Sequence, residues 1–286
     1  MSADAADTSS LVGVLRPEEL VQAADLRKLS CHQDLDHWVE NYWQLSWDLP
    51  PGQSYDSQTL PHPTCTLSVE LGPSRPEVGA DPVVLTGVVT RRFDVRLRGA
   101  GLVTAAKFRP GGLAALRGAT APPGAAALRE RVVPARTLLP AGICDDLGRI
   151  TLSTPPAEAL TTLEHALLSL AADAPDDPRY DTVLAVIDDM LGDRDLQRVA
   201  QIEQRHGLST RTLQRLFERY VGVGPKWVLA RYRIHDAISE LDAGYEGTIA
   251  DLAASLGWYD QAHFVRDFTR LIGEPPDQYR RRSGTA

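Results

Sequence analysis

The sequence predicts an α+β protein, in which an N-terminal antiparallel β-barrel or sandwich with flanking helices precedes an all-α domain of two helix-turn-helix units joined by a linker helix. Short candidate strands separated by Gly- and Pro-containing turns fill the first 150 residues, which is typical of antiparallel barrels and sandwiches. After residue 178 the apolar residues recur with helical spacing instead. The segment Ala174-Pro175-Asp176-Asp177-Pro178 separates the two parts, because prolines and aspartates end a helix. We therefore expect a domain at residues 1–173, a linker at 174–178 and a second domain at 179–286.

Composition favours a water-soluble chain. Of the 286 residues, 43% are hydrophobic and 24% are charged, which suffices for a buried core. The polar, acidic start at Met1–Ser10 lacks the basic and apolar parts of a secretory signal, and no apolar run is long enough to span a membrane. Cys31, Cys65 and Cys144 are widely spaced and odd in number, which favours a reduced compartment. We expect a cytoplasmic protein without contact with a membrane.

The N-terminal part begins with a predicted helix over Pro17–Leu29 and continues with short strands. Turn-forming sequences, such as Pro50-Pro51-Gly52 and Gly79-Ala80-Asp81, separate these strands. The predicted strands are Tyr42–Trp47, Thr66–Leu71, Pro82–Thr86, Phe93–Leu97 and Leu102–Phe108. A further helix over Ala157–Ala172 closes this part, because leucines recur along one face.

The C-terminal part contains an internal repeat with an offset of 51 residues. Seven chemically similar pairs share this offset: Ser209 and Asp260, Leu213 and Phe264, Arg215 and Arg266, Phe217 and Phe268, Arg219 and Arg270, Gly222 and Gly273, Pro225 and Pro276. The predicted helices are Tyr180–Leu191, Leu196–His206, Thr210–Tyr220, Pro225–Leu241, Ile249–Leu256 and Gln261–Leu271. So many matched pairs at one offset indicate two copies of one structural unit.

Each repeat has the parts of a helix-turn-helix. A short helix ends at a glycine, Gly207 or Gly257, where the chain needs a left-handed residue. An N-cap, Ser209 or Asp260, then starts a second helix. The net charge of −8 argues weakly against nucleic acid, but residues 178–286 are nearly neutral, with 15 Lys and Arg against 16 Asp and Glu.

The second helix of each repeat has one apolar and one polar face. In the first repeat the inward stripe is Leu213, Leu216, Phe217 and Tyr220, and the outward face carries Arg211, Gln214, Arg215 and Glu218. In the second repeat Phe264, Phe268 and Leu271 point inward, and Gln261, Ala262, Val265 and Arg266 point outward. Arginine and glutamine reach base edges in a major groove, and small apolar side chains contact the thymine methyl group. The alternative is that these are ordinary solvated faces. The presence of two matched helices argues against that interpretation.

The linker helix Pro225–Leu241 connects the repeats. One apolar stripe runs along it, through Trp227, Ala230, Ile234, Ala237, Ile238 and Leu241. A continuous helix should hold the two units in a fixed relation, whereas a flexible tether would be rich in glycine and serine.

Residues 180–282 resemble the DNA-binding domain of the arabinose-regulator (AraC/XylS) family. The strings that carry the resemblance include Gly207-Leu208-Ser209-Thr210-Arg211-Thr212-Leu213-Gln214-Arg215-Leu216-Phe217, Ile249-Ala250-Asp251-Leu252-Ala253 and Gly273-Glu274-Pro275-Pro276. Trp258 departs from the pattern, since the family usually has phenylalanine there. The resemblance implies double-stranded DNA as partner, with contacts from Thr210, Arg211, Gln214, Arg215, Gln261, Ala262, Val265 and Arg266. RNA polymerase and a second copy of the chain are further candidate partners.

The N-terminal part shows a weaker similarity. Phe108-Arg109-Pro110-Gly111-Gly112, followed by an alanine-rich helix, resembles cupin-like sensor domains. Such a domain would hold a small-molecule effector or mediate dimerisation. Trp43, Trp47 and His62 are the candidate effector residues, although Trp43, Leu45 and Trp47 share a strand face for which core packing is the favoured role. Arg91, Arg92, Arg96 and Arg98 form either an anion site or a solvated strand face.

We expect neither a cofactor nor a metal. His32, His37 and His62 lack the His-x-His spacing with a following glutamate, and Cys65 has no nearby partner for redox sensing. The leading interpretation is therefore a sequence-specific DNA-binding transcription regulator, controlled by an effector through the N-terminal domain. The alternatives are a barrel enzyme or a protein-interaction module that carries a helix-turn-helix targeting domain. No nucleophile–base pattern supports the enzyme.

Overall fold

The computed structural model describes residues 14–15, 17–73, 75 and 81–283. The acidic start, and Gly79 and Ala80 of one predicted turn, lie outside these residues. The N-terminal part is antiparallel, as expected, and the C-terminal part is helical. The strands are β1 (Val14–Leu15), β2 (Asp25–Leu29), β3 (Val39–Asp48), β4 (Ser54–Thr59), β5 (Thr66–Leu71), β6 (Val83–Thr86), β7 (Phe93–Arg98), β8 (Ala100–Phe108) and β9 (Val132–Pro134).

Two sheets form the N-terminal part. Six strands pair in the order β2-β3-β8-β5-β6-β9, and three pair in the order β1-β4-β7. Side chains alternate between the two faces of a strand, so Trp43, Leu45 and Trp47 share the face of β3 that lines an internal cavity. The predicted barrel or sandwich is therefore confirmed, and the tryptophan stripe points into it.

The opposite face of the six-stranded sheet is covered by a helix. The N-terminal helices are α1 (Pro17–Ala23), α2 (Gly112–Leu116), α3 (Ala141–Leu147) and α4 (Pro156–Ala172). Leu163 and Leu167 of α4 share a buried cluster with Leu67 and Phe108 of the sheet. The Gln44 amide of β3 also donates to the Pro156 carbonyl oxygen over 2.7 Å. The long helix predicted at Ala157–Ala172 thus shields one sheet face from water.

The predicted helix Pro17–Leu29 is wrong in its second half. The helix ends at Ala23, and Asp25–Leu29 pairs with β3 as a strand, with Asp25 opposite Ser46 and Leu29 opposite Tyr42. Pairing to an apolar central strand outweighs the local helical preference. The sequence also did not suggest Ser54–Thr59, which is polar and whose side chains are all exposed or half-buried.

Seven helices follow residue 177 in the described part of the chain. They are α5 (Pro178–Gly192), α6 (Val199–His206), α7 (Thr210–Tyr220), α8 (Pro225–Asp242), α9 (Ile249–Ser255), α10 (Gln261–Ile272) and α11 (Pro276–Ser283). Six of them match the predicted helices closely. The sequence did not predict α11, although Pro276 marks its first turn.

Two hydrophobic cores join the halves of the chain. Val88 and Ala115 belong to the cluster formed by α5, α6 and α7. Leu15 and Leu60 belong to the cluster beneath α9, α10 and α11. The N-terminal part therefore packs directly against both helix-turn-helix units. Among the described helices, none combines the length and the apolar character needed to cross a bilayer.

Candidate nucleic-acid interface

The first helix-turn-helix consists of α6 and α7. Gly207 ends α6 with φ of 62°, a left-handed conformation that glycine adopts without strain. The Ser209 hydroxyl then accepts a hydrogen bond from the Thr212 amide over 3.2 Å and caps α7. Both features were predicted, and both set the angle at which α7 leaves the turn.

The two faces of α7 are separated as the sequence predicts. Leu213, Leu216, Phe217 and Tyr220 are buried, whereas Thr210, Arg211, Gln214, Arg215 and Glu218 are exposed. The buried side chains pack on Tyr180 and Val183 of α5. The packing of its buried face thus holds α7 in place, with the polar face exposed to solvent.

The exposed arginines of α7 have no counter-ion. Among the residues that the structure describes, the side chains of Arg211 and Arg215 make no hydrogen bond or ion pair. Other arginines nearby do: Arg205 binds Asp193 over 2.7 Å and Arg194 binds Glu240 over 2.6 Å. Unpaired guanidinium groups on one helix face suit an anionic partner, because each can make two parallel hydrogen bonds.

A cationic groove adjoins this face and was not expected from the sequence. Arg179 and Thr182 of α5 line it together with Arg215 and Arg219 of α7. Neither Arg179 nor Arg215 pairs with an acidic group of the described chain. The signal in the sequence was Arg179 in the first turn of α5. The sequence analysis missed it because it considered only the two helix-turn-helix units.

The second unit, α9 and α10, repeats this arrangement. The Asp260 carboxylate caps α10 by accepting from the His263 amide over 2.7 Å, and Gly273 ends the helix with φ of 91°. Gln261, Ala262 and Arg266 are exposed. Val265 is half-buried and packs against the core of the unit, so it points outward only in part. Arg266 pairs with no acidic residue of the described chain.

The linker helix α8 is held more firmly than the predicted stripe implies. Trp227 and Ala230 are only half-buried, and Arg231, Tyr232 and Arg233 are buried instead, because neighbours contact the helix from several sides. Arg233 donates from Nη2 to the carbonyl oxygens of Asp193 and Leu196, over 2.8 and 2.9 Å, and from Nη1 to Asp236 over 2.6 Å. It therefore ties α8 to the segment that precedes α6.

The candidate effector residues meet in one cavity. Trp43, Trp47 and His62 all line a space of about 270 Å³ between the two sheets. Trp47 is also core, since it is buried and its indole N–H donates to the Arg98 carbonyl oxygen over 3.1 Å. The His62 ring packs against the His235 ring of α8, with centroids 4.4 Å apart and the ring planes tilted by 39°. The cavity therefore reaches the wall that faces the linker helix.

Arg91, Arg92, Arg96 and Arg98, in and just before β7, line one groove, although two of them are already paired with acidic residues. Arg92 pairs with Asp94, Nε to Oδ1, over 2.7 Å, and Arg96 pairs with Asp56 over 2.5 Å. Within the described residues, no group of three or more His, Cys, Asp or Glu side chains is arranged to hold a metal. Burial raises the pKa of the Cys65 thiol to about 12, so the reactive thiolate is scarce at neutral pH.

Two family models match the chain. Residues 202–282 match a family described as a helix-turn-helix domain. Residues 27–132, which contain most of both sheets, match a domain of unknown function, DUF6597.

Two curated relatives resemble the C-terminal part. An AraC-like transcription regulator of Streptomyces lividans is 35% identical over 83 residues, 29% of this chain and 27% of the relative. The HTH-type transcriptional regulator Rv1931c of Mycobacterium tuberculosis is 32% identical over 84 residues, 29% of this chain and 32% of the relative. The chain thus spans about a third or less of the length of these relatives. Among solved structures, ToxT of Vibrio cholerae superimposes with a TM-score of 0.40 at 12% identity, over 94% of this chain and 98% of ToxT.

Proposed function

We propose that the chain is a sequence-specific DNA-binding transcription regulator of the AraC type, because residues 202–282 match a helix-turn-helix domain and resemble an AraC-like regulator. One observation carries the proposal: α7 and α10, 51 residues apart in register, each present an exposed polar face that includes an unpaired arginine. A structural helix needs only its buried stripe. Two equivalent faces of this kind fit two major grooves.

The residues that read the DNA belong to those two faces. In one groove, Arg211 and Arg215 would bind guanine O6 and N7, and Gln214 would bind adenine. Thr210, at the first turn of α7, would contact the backbone. In the other groove, Gln261 and Arg266 would make the polar contacts, and Ala262 and Val265 would touch thymine methyl groups. Because Val265 is half-buried, the second face reads sequence less strictly.

The N-terminal domain, residues 1–173, would act as the sensor in this proposal, with 174–178 as its connection. Its internal cavity can hold a small effector, and Trp43, Trp47 and His62 line that cavity. The domain also packs on both helix-turn-helix units. A ligand in the cavity would therefore act on elements that already contact the DNA-reading helices.

The test is a gel-shift titration of the full chain. A high-affinity site is first selected from random duplex DNA, and affinity for it is compared with affinity for a scrambled duplex over a range of salt. Specific binding should exceed non-specific binding by at least 10³-fold and weaken steeply with salt. Equal affinity for both duplexes would contradict the proposal.

Two variants locate the contact. Arg215→Ala should cost roughly 1–3 kcal/mol on the selected site if the side chain reads a base. Arg270→Ala is the matched control, because Arg270 is an exposed arginine of α10 that is already paired with Asp267 over 2.8 Å. Equal losses from both variants would mean that Arg215 supplies only general charge.

A further inference from the structure

A groove follows the free edge of β7. This strand ends the three-stranded sheet, so it pairs with β4 on one side only. Residues from both faces of β7 line the groove, which therefore runs along the edge of the strand. The rest of the lining comes from Pro73 and Arg75, which follow β5, and from residues 130–132, which lead into β9. The groove has a volume of about 660 Å³ and lies in the N-terminal part of the chain.

The backbone of β7 has unused hydrogen-bonding groups along this edge. A strand with one neighbour pairs the N–H and C=O groups of alternate residues, and the remaining groups point away from the sheet. Within the part of the chain that the structure describes, the backbone of residues 93–97 forms hydrogen bonds only with β4. An open edge of this kind is a template to which an extended peptide can add as a further strand.

Arginines without acidic partners line the groove along the whole length of β7. Arg91 precedes the strand, Arg98 ends it, and Arg131 lies just before β9. All three are exposed, and their guanidinium groups form no hydrogen bond or ion pair with any described residue. Three further arginines of the lining are already offset by acidic neighbours: Arg75, Arg92 and Arg96. The groove therefore attracts anions.

Two carboxylates belong to the same lining. Asp94 is paired with Arg92, and Glu130 accepts hydrogen bonds from the amide and the hydroxyl of Thr90. Glu130 offsets part of the charge of its neighbour Arg131. When these acids and the acidic partners of Arg75 and Arg96 are counted against all six arginines, two positive charges remain uncompensated.

The arrangement of the charges favours an extended occupant. Phe93–Arg98 is about 17 Å long from the first to the last Cα atom, and Arg91 and Arg98 flank it at opposite ends. Between them, the half-buried side chains of Phe93 and Val95 also line the groove and offer apolar contacts. Charges spread along a strand suit a chain with several negative groups better than they suit one small anion.

A peptide fits these features better than a nucleic acid or a second copy of the chain. A nucleic-acid strand would use the arginines but would leave the unpaired backbone groups of β7 unused. Two copies paired edge to edge would bring two sets of arginines together, and like charges on neighbouring strands are destabilising. An acidic peptide satisfies the arginines and the strand edge at once, because Arg and carboxylate groups form two parallel hydrogen bonds.

We propose that an extended acidic segment of another protein binds in this groove as an added strand that pairs with the free edge of β7. Its carboxylates bind Arg91, Arg98 and Arg131. Because side chains alternate between the faces of a strand, acidic residues at every second position lie on the outer face with Arg98. The residues between them contact Phe93 and Val95. This interaction goes beyond DNA binding and does not depend on it.

The test is a fluorescence-anisotropy titration of the full chain, without DNA, against a dye-labelled synthetic peptide. The peptide has blocked ends, is about as long as β7 and alternates glutamate with valine. One control peptide has glutamine in place of glutamate. Two others carry N-methyl groups on alternate backbone amides, one in each register, so that one of them blocks the amides that would face β7. We expect saturable binding of the acidic peptide, and at least tenfold weaker binding of the glutamine peptide and of one methylated peptide.

Three results overturn the proposal. Absence of saturable binding, or equal binding of the acidic and glutamine peptides, rules out an acidic partner. Equal binding of the acidic peptide and both methylated peptides makes the groove a general surface for polyanions, without strand addition. A dimer in sedimentation equilibrium that the acidic peptide dissociates would assign the edge to a second copy of the chain.

Matched variants locate the peptide. Arg98→Gln and Arg131→Gln should each weaken binding of the acidic peptide several-fold, while circular dichroism shows the fold intact. Arg129→Gln is the control, because Arg129 is exposed and lies two residues before Arg131 but does not line the groove. If both groove variants bind as tightly as Arg129→Gln, the groove is not the site. Because no DNA is present, these outcomes are independent of the gel-shift result.

Discussion

Arg92, in the loop before β7, donates a hydrogen bond from Nη1 to the carbonyl oxygen of Ile272, the last residue of α10, over 2.9 Å. The rest of its guanidinium is held by Asp94. The barrel therefore contacts the end of the second DNA-reading helix through one oriented side chain. This contact joins positions 180 residues apart in the sequence.

Arg92→Ala should destabilise the second helix-turn-helix unit by about 1–2 kcal/mol, because a charge-assisted hydrogen bond to a partly buried helix end is lost. Thermal unfolding followed by circular dichroism measures this change. Arg96→Ala is the control, since Arg96 pairs with Asp56 on the surface and, among the described residues, makes no hydrogen bond or ion pair with the helical half. Equal melting temperatures for the two variants would show that the contact with Ile272 contributes nothing.

The spacing of the two half-sites should be rigid. Two helices in successive major grooves on one face of the duplex lie about 34 Å apart, or one helical turn. Arg233 fixes α8 to the first unit, and Ile234, Ile238 and Leu241 bury it against the second. Inserting five base pairs between the half-sites turns one of them to the opposite face of the DNA. Affinity in a footprinting titration should then fall to that of one unit, whereas full protection of both half-sites would indicate a flexible pair.

Stability should fall as the solution is acidified below pH 6.5, in part because of His235. Its pKa in the folded protein is about 3, so below its ordinary pKa the unfolded chain binds a proton that the folded chain does not. The contribution is complete above pH 6.5 and is lost as the pH approaches 3. Urea unfolding between pH 6.5 and 4.5 should give a slope that His235→Gln reduces by up to about 1.4 kcal/mol per pH unit.

The control for this measurement is Lys226→Gln, which removes an exposed charge of the same helix, α8. It should leave the slope unchanged. If the His235→Gln slope equals that of the wild-type protein, the ring is already protonated or solvated in the folded state.

A fragment of residues 174–286 should fold but be less stable than the same region in the full chain. Its helices keep most of their core, which includes Phe217 and Phe268, but Val88 and Leu60 of the barrel would no longer cover it. We expect a helical circular-dichroism spectrum and a lower urea midpoint. An unfolded fragment would place the domain boundary outside 174–178.

The helical half could be predicted because its information is local. Caps such as Ser209 and Asp260, turn glycines and the spacing of Leu213 and Phe217 act within one or two helix turns. The strand Asp25–Leu29 could not be predicted in the same way, because it exists only through its pairing with β3. Local periodicity carries no information about that partner.

The candidate sites divide in the same way. The outward residues of α7 follow from the helical period, and their exposure agrees with it. The contact between the rings of His62 and His235 joins positions more than 100 residues apart, so only the packing of the barrel on the linker helix reveals it. The grouping of His62 with the tryptophans was expected, but its ring contact with His235 was not.

The repeat offset has a mechanical consequence at Gly222 and Gly273, which occupy equivalent positions after the two DNA-reading helices. A Cβ at Gly222 would lie 2.6 Å from the Ala125 carbonyl oxygen, and a Cβ at Gly273 would collide with the Arg92 guanidinium. The barrel therefore touches both helices at the end away from the capped N-terminal turn that enters the groove. Each helix is about 17 Å long, at 1.5 Å per residue. If the barrel moved the C-terminal ends of both helices by roughly 1.5 Å while their N-terminal turns stayed in place, each helix would tilt by about 5°. One small movement would therefore reorient both DNA-reading faces.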